Sequence, residues 1–320
     1  MLRQTQPAFH RSGRRGVPSS TVRCNLFFQQ QLFGDNSSSS RKYGFSEDDL
    51  DELRQSSLTL PYSFPVAKNG NSNENDPITL TIRKLEKPDL DVVVPMCAKE
   101  FGTSPTEVKS FPWDNLNKAA IDAWFDDLIF GPLVGIAFEA KIVQREKEPF
   151  SDFLLCLEQT TADGSDSLIG IVDLSMQPLD PSRNPPPFPF PMWYKQAYAA
   201  SKELPGLDGW ISNLLIDEKH RGKGYAKILM AAAEGLARSW GCSSLSLHVD
   251  ADRERGKVPR KLYQTLGYTP VMKPMMATET TTAGDTQISS QNDYAWMGDR
   301  LRSGLYNVDG CMLVFMQKEL

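Results

Sequence analysis

The chain has 320 residues, of which 40% are apolar and 10% aromatic, so it is long and apolar enough to bury a substantial core. Its formal net charge of −5 argues against binding to a nucleic-acid backbone, because such proteins normally carry a surplus of Lys and Arg, and it suits a basic substrate better. The five cysteines lie far apart without a CxxC pair, so neither a disulfide framework nor a zinc site is indicated. No apolar run reaches the roughly 18 residues that a membrane span requires.

The N-terminal 34 residues differ in composition from the rest. They contain five arginines and several Ser, Thr and Gln, and the first acidic residue of the chain is Asp35. This composition predicts an organellar transit peptide over residues 1–34, and the alternative is a disordered basic tail. Residues 35–76 are rich in Ser and Asn and predict a disordered linker, so we expect one folded domain over residues 77–320.

The first part of this domain combines a strand pattern with helix patterns. Apolar and polar residues alternate over Ile78–Ile82, as they do in a half-buried strand. Asp89–Phe101 and Trp113–Phe130 carry apolar residues at helical spacing, and a third helix is predicted around Val134–Arg145.

A hairpin and a proline-rich insertion follow. Phe153–Leu157 and Leu168–Leu174 read as two strands joined by a turn-rich segment. Pro178–Pro191 has too many prolines for a helix interior or a sheet ladder, so residues 178–209 are predicted to be an inserted loop. The insertion is either a lid over the substrate or a packed excursion on the surface.

The rest of the chain alternates regularly between strands and helices. Residues 278–293 are polar and predict a loop, and Cys311–Leu320 predicts a terminal strand. These patterns predict an α/β fold, a mixed central sheet with helices on both faces. The predicted strands of the regular run are 210–216, 244–249 and 267–273, and its helices are 223–239 and 258–266.

A glycine-rich turn joins the strand 210–216 to the helix that follows it. Small residues at Gly222, Gly224 and Ala226 let backbone N–H groups point at one shared anion, and the helix N-terminus adds partial positive charge. A pyrophosphate fits such a turn. Neither the P-loop pattern nor the GxGxxG dinucleotide pattern is present.

This turn resembles the acetyl-CoA motif [Q/R]xxGx[G/A] of the GNAT family of N-acetyltransferases, with Arg221, Gly224 and Ala226 at its defining positions. The resemblance covers residues 210–272 and implies acetyl-CoA as co-substrate, without a metal. It implies that the preceding strand pairs with the pantetheine arm through the backbone of Leu214, Leu215 and Ile216. The loop residues implied to contact acetyl-CoA are Arg221, Gly222, Lys223, Gly224, Tyr225, Ala226 and Lys227.

The resemblance also assigns a catalytic residue. Tyr263 lies four residues before the glycine of an LYxxxG[F/Y] signature, where the family places the general acid that protonates the departing thiolate. Two departures weaken the match: Gly256 stands where many relatives have Asn, and Pro259 replaces a small helix residue. Together with the strand 210–216, this segment looks most like the plastid branch of the family, which favours a chloroplast over a mitochondrion.

The base that deprotonates the acceptor amine is left open by the sequence. A lysine amine is almost wholly cationic at pH 7, so a base or a water chain is needed. The candidates are His248 and Asp250, with Asp217 as a third. Near the turn, three basic residues either contact the 3′-phosphate of CoA or are solvated charges: Lys219, His220 and Lys223.

These observations predict an acetyltransferase whose partner is a protein or peptide amine, either a lysine or an N-terminal amine. Two alternatives stay open, a small-molecule amine acetyltransferase and a non-catalytic acyl-CoA-binding module. Neither nucleic acid nor a membrane span is expected.

Overall fold

A computed structural model describes residues 45–55, 57–66, 78–101, 118–271, 296–297, 299–308 and 311–320, with backbone alone for 118–128 and 299–300. The predicted transit peptide, Trp113 and the predicted loop 278–293 lie outside the described residues. Three described cysteines, Cys97, Cys156 and Cys242, are buried free thiols. Within the described ranges, no helix is long and apolar enough to cross a membrane, and no cluster of His, Cys, Asp or Glu side chains could hold a metal ion.

The described strands form one mixed sheet in the order β1-β2-β3-β4-β5-β6-β9-β7, and β8 pairs with β9. Neighbouring strands are antiparallel except β5 and β6, which are parallel. The strands are β1 Tyr62–Val66, β2 Ile78–Lys84, β3 Asp152–Thr160, β4 Asp166–Pro178, β5 Leu207–Ile216, β6 Ser244–Asp250, β7 Thr269–Pro270, β8 Leu305–Val308 and β9 Cys311–Glu319.

Helices cover both faces of the sheet, as predicted. Along β3, Leu155 and Leu157 join one apolar core while Leu154 and Cys156 join another, because successive side chains of a strand point to opposite faces. Helices α1, α5 and α6 pack on the first face, and α2, α3 and α4 pack on the second. The helices are α1 Glu47–Leu53, α2 Leu90–Phe101, α3 Lys118–Lys147, α4 Met192–Ser201, α5 Tyr225–Ser239 and α6 Lys257–Thr265, and a single turn covers Asp299–Arg302.

The folded part begins earlier than the sequence predicts. Within the predicted linker 35–76, β1 pairs with β2, and Leu50 and Leu53 of α1 are buried. Helix α1 lies directly on α5: a Cβ atom added at Gly235 would lie 2.1 Å from the carbonyl oxygen of Leu53. The prediction is wrong for these residues because the buried leucines of α1 stand among acidic residues, and because Pro65 counts against the strand that the alternating apolar residues of β1 would otherwise predict.

On the second face of the sheet, α3 is one long helix where two were predicted. Helix α3 continues through Pro132, a residue that normally interrupts a helix because it lacks an N–H group. The insertion 178–209 likewise contains helix α4. Of the strand predicted over 267–273, Thr269–Pro270 form β7, and residues 272–273 lie outside the described residues. The predicted hairpin and terminal strand are confirmed as β3, β4 and β9.

Two buried ion pairs attach α3 and α4 to the sheet. Lys141 of α3 contacts Asp173 of β4, and Lys195 of α4 contacts Asp152 of β3 at 2.8 Å, with exposed side-chain fractions of 4% or less. Removing one partner of such a pair leaves an uncompensated buried charge, at a cost of about 3–5 kcal/mol. Both helices are therefore fixed in position by charge as well as by apolar packing.

Candidate functional site

The parallel strands β5 and β6 separate soon after they meet. Their pairing consists of Gly209 with Leu245 and Trp210 with Ser246, although β5 continues to Ile216 and β6 to Asp250. Beyond Trp210, the edge of β5 that faces β6 thus has backbone N–H and C=O groups without a strand partner. Backbone polar groups in such a setting require another hydrogen-bonding partner.

A bulge bends β5 at the same place. Ile171 of β4 pairs with Leu215 and Asp173 pairs with Ser212, so two residues of β5 face one residue of β4. One of the two, Asn213, has a φ of 51°, in the left-handed region that Asn tolerates better than most residues. The bulge increases the local bend of β5 and helps to open the gap beside β6.

The residues predicted to pair with pantetheine lie along this open edge. Leu214 and Ile216 bury their side chains against the α5 face, and Leu215 buries its side chain against the α3 face. Their side chains pack in the two cores, and the backbone carbonyl of Ile216 accepts a hydrogen bond from Arg221 Nε at 3.0 Å. Pairing with pantetheine remains a prediction.

The predicted anion-binding turn lies between β5 and α5. Gly222 and Gly224 have φ angles of 75° and 79°, and a Cβ atom added at Gly222 would meet no atom within 4 Å. Helix α5 begins at Tyr225, and no described side chain caps its N-terminus. Open space and uncapped N–H groups at a helix N-terminus suit a phosphate group. The side chains of Tyr225 and Ala226 are buried beneath this turn.

The side chain of Arg221 braces the turn from behind. Its Nε donates to the carbonyl of Ile216 at 3.0 Å, and its Nη2 forms an ion pair with Glu100 of α2 at 2.5 Å. The backbone N–H of Arg221 donates to Glu218 at 3.3 Å. Two of the five N–H donors of the guanidinium are thus used within the protein, and the contact of Arg221 with acetyl-CoA remains a prediction.

The other basic residues of the turn differ in accessibility. Lys223 is exposed, with its Nζ 5.9 Å from the ring centre of Tyr225, and Lys227 is half-buried. Burial lowers the pKa of His220 from its ordinary value, so this ring is neutral at pH 7 and offers no full charge to a phosphate. Lys219 and Lys223 therefore fit the predicted phosphate contact better than His220 does.

Tyr263 lies on α6 and is fully buried. Its ring packs edge-on against Tyr268 at a centroid distance of 5.8 Å, within the core that α5 covers. The departure at Gly256 has a steric reason, because a Cβ atom there would lie 1.8 Å from the carbonyl oxygen of Asp250. Pro259 lies in the first turn of α6, where a missing N–H costs nothing. The role of Tyr263 as general acid remains a prediction.

Of the three candidate bases, two have a local structural role. Asp217 accepts a hydrogen bond from the Lys219 N–H at 2.9 Å and caps a short 3-10 turn. Asp250 accepts from the Asp252 N–H at 2.8 Å and lies 3.4 Å from Arg255. Burial raises the pKa of Asp250, with these donors and Arg255 opposing the rise. A raised pKa favours a group that accepts a proton. The role of Asp250 as base stays a prediction.

The third candidate, His248, is held by the proline-rich insertion. Its Nδ1 lies 2.8 Å from Asn184 Oδ1 and its Nε2 lies 3.0 Å from the carbonyl of Pro181, and its ring packs edge-on against Trp210 and Phe315. Burial lowers the pKa of His248 to about 4, so the ring is neutral at pH 7. A neutral ring donates from one nitrogen, to Pro181, and accepts at the other when the Asn184 amide presents its NH₂ group. His248 thus attaches the insertion to the sheet.

A polar cluster that the sequence analysis missed lies at the bulge. The Oδ2 atom of Asp173 accepts from Lys141, from Ser212 Oγ at 3.1 Å and from Asn213 Nδ2 at 3.1 Å. Asp173 is fully buried. A single acidic residue within an otherwise apolar strand was the feature of the sequence that could have indicated this cluster. Because its partners come from α3 and β5, sequence spacing did not connect them.

The low pKa of His248 predicts a loss of stability in mild acid. Between about pH 6.5 and pH 4 the unfolded chain binds a proton that the folded ring does not, so the free energy of unfolding falls as pH falls. Between pH 7 and pH 5, we expect the free energy of unfolding to fall by about 2 kcal/mol less in His248→Gln than in the wild type. Urea unfolding of both proteins at the two pH values measures the difference. Parallel pH profiles for the two proteins would contradict this assignment.

The chain is similar to known proteins over the segment that carries this site. Residues 136–268 match the acetyltransferase (GNAT) family. An uncharacterized N-acetyltransferase of Bacillus subtilis, YycN, is 42% identical over 69 residues, 22% of this chain and 42% of the relative. GCN5-related N-acetyltransferase 4, chloroplastic, of Arabidopsis thaliana is 35% identical over 82 residues, 25% of this chain and 27% of the relative. The chain thus matches less than half the length of either relative.

Among solved structures, an N-acetyltransferase from Thermoplasma acidophilum in complex with coenzyme A is 14% identical, with a TM-score of 0.38, over 75% of this chain and 99% of that one. The family match spans β3 to α6, and thus contains the parted strands, the bulge and the glycine turn. The segment that carries this site, residues 136–268 of the 320, is thus the part of the chain that matches the GNAT family of acetyltransferases.

Proposed function

We propose that the chain is an acetyl-CoA-dependent N-acetyltransferase that acetylates a primary amine, a protein lysine or an N-terminal amine. The proposal rests on one observation, that the open edge of β5 leads to the turn at Gly222 and Gly224, so that one ligand can contact both. A ligand with an amide-containing arm and a pyrophosphate matches the edge and the turn. The family match supports the same conclusion.

In the proposed reaction, the protein positions groups and moves protons. The acceptor nitrogen attacks the thioester carbonyl that acetyl-CoA supplies, so that a C–N bond forms, the C–S bond breaks and the amine loses a proton. A phenol ordinarily keeps its proton at neutral pH, so Tyr263 is suited to protonate the departing thiolate. The turn at Gly222–Gly224 and the N-terminus of α5 hold the pyrophosphate.

The phosphate assignment predicts a charge-specific effect at Gly222. Asn and Asp tolerate a positive φ comparably, and this position has open space, so the two substitutions differ mainly in charge. We expect Gly222→Asp to weaken acetyl-CoA binding at least tenfold more than Gly222→Asn, about 1.4 kcal/mol. Calorimetric titration of both variants measures the difference, and equal affinities would remove the phosphate from this turn.

The catalytic assignment predicts a split between rate and binding at Tyr263. Tyr263→Phe keeps the buried ring and removes the proton, so kcat should fall at least tenfold while the acetyl-CoA dissociation constant changes little. Tyr268→Phe is the matched control, because it removes a hydroxyl from the neighbouring buried ring, and its kcat should be unchanged. Wild-type kcat in Tyr263→Phe would make this residue a packing residue.

We also propose that the protein acts in a plastid. The basic, acid-free residues 1–34 and the chloroplastic name of the Arabidopsis relative support this location. A fluorescent fusion of the full chain should enter chloroplasts. Deletion of residues 1–34, or replacement of their five arginines by Gln, should leave the fusion in the cytosol. Import of the deleted form, or entry into mitochondria, would contradict the proposal.

A further inference from the structure

A sizeable cavity, here called the chamber, lies beneath the proline-rich insertion. Its volume is about 210 Å³, more than ten times the roughly 15 Å³ that one water needs. Rings and prolines dominate its lining, so it favours an apolar occupant. The lining includes Pro178, Pro185, Pro186, Phe190, Tyr194, Tyr198 and Trp210.

A smaller cavity, here called the neck, adjoins the chamber at the parting of β5 and β6. It has about 30 Å³, and it shares with the chamber Trp210 and the loop residues Asn184, Pro185 and Pro186. Space of this size holds one or two small groups. Unlike the chamber, the neck is rich in polar groups, which are supplied by Lys141, Ser212, Asn213 and His248.

Among the described residues, Asn213, which lines the neck, has a buried polar atom without a hydrogen-bonding partner. Asn213 is 2% exposed, and its Oδ1 makes no hydrogen bond within the described part of the chain. The amide orientation is fixed, because Nδ2 faces the carboxylate of Asp173, which accepts hydrogen bonds when ionised. A buried oxygen without a donor is unfavourable, so this position calls for a ligand with an N–H or O–H group.

We propose that the neck binds the acceptor amine through Asn213 Oδ1 and that the chamber binds a large apolar side chain attached next to that amine. The inference rests on the proposed acetyltransferase function and makes its acceptor an N-terminal α-amine with Leu, Met or Phe as first residue. In an α-amine, the side chain branches from the carbon that carries the nitrogen, so an amine in the neck brings the side chain to the adjoining chamber. A lysine amine ends an unbranched chain that would leave the chamber unfilled.

The test uses peptides of one sequence that begin with Leu or Ala and carry blocked lysines, and a third peptide with a free lysine and a blocked N-terminus. We expect kcat/KM for the Leu peptide to exceed that for either other peptide at least tenfold, because each buried methylene contributes up to about tenfold. Equal or faster acetylation of the Ala or lysine peptide would overturn the proposal.

Variants of the chain separate the chamber from the neck. Phe190→Ala opens the chamber and should raise KM for the Leu peptide severalfold, with kcat, KM for the Ala peptide and acetyl-CoA affinity unchanged. Trp193→Ala is the matched control, since Trp193 is a neighbouring aromatic residue that is 67% exposed and does not line the chamber. Asn213→Gly keeps the positive φ and should raise KM for both peptides. Equal effects of Phe190→Ala on both peptides, or an unchanged KM in Asn213→Gly, would contradict the assignment.

Binding measurements distinguish this proposal from the acetyltransferase proposal itself. Leucinamide and alaninamide are titrated into the CoA-bound protein by calorimetry. Tighter binding of leucinamide that Phe190→Ala abolishes supports the chamber even if no peptide is acetylated, in which case the proposed catalysis fails alone. No difference between the two amides would overturn the chamber assignment whatever the turnover.

Discussion

The separation of two parallel strands is the constraint on which the site depends. β5 and β6 share two residue pairs and then part, which leaves a row of backbone groups on β5 that the sheet does not satisfy. Three other features are arranged around this gap: the bulge at Asn213 bends β5 away, the insertion covers the point of separation, and α5 begins at the far end of β5. A ligand that supplies amide groups along the gap completes the sheet at that point.

The buried charges beside the gap also position groups of the site. A buried ion pair such as Lys141 with Asp173 seldom stabilises a fold more than apolar residues of the same size would. Its effect here is on orientation, because Asp173 also accepts from Ser212 and Asn213 and so holds the Asn213 amide in one direction. In the proposed acceptor site, the ion pair is thus a positioning device for the amide that meets the amine.

Most of the correct predictions came from patterns among residues that are neighbours in the sequence. The run from β5 to α6 combines short strands, one amphipathic helix and a glycine turn, and each is determined by neighbouring residues. Helix α1 and strand β1 were missed because they are short and are held by distant partners, Gly235 of α5 and the edge of β2. Pro132 suggested a break that tertiary packing of α3 overrides.

The candidate site was predictable where its chemistry is contiguous in sequence, and less so where distant elements meet. The turn at Gly222 and Gly224 is contiguous, and its two positive φ angles are those that the glycines allow. The neck joins α3, the insertion, β5 and β6, so no spacing in the sequence reveals it. His248 shows the same limit, because the sequence named it as a candidate base but could not show that Asn184 and Pro181 lie at its two ring nitrogens.

The docking of α1 on α5 limits how the protein can be matured. Leu50 and Leu53 are buried, and Gly235, in the second half of α5, admits the α1 backbone so closely that the segment before β1 is part of the packing around α5. Phe45 belongs to the same core. A peptidase that removes the predicted leader would therefore have to cut before Phe45, since a cut within α1 would remove packing from the helix whose N-terminus is proposed to bind the cofactor phosphates.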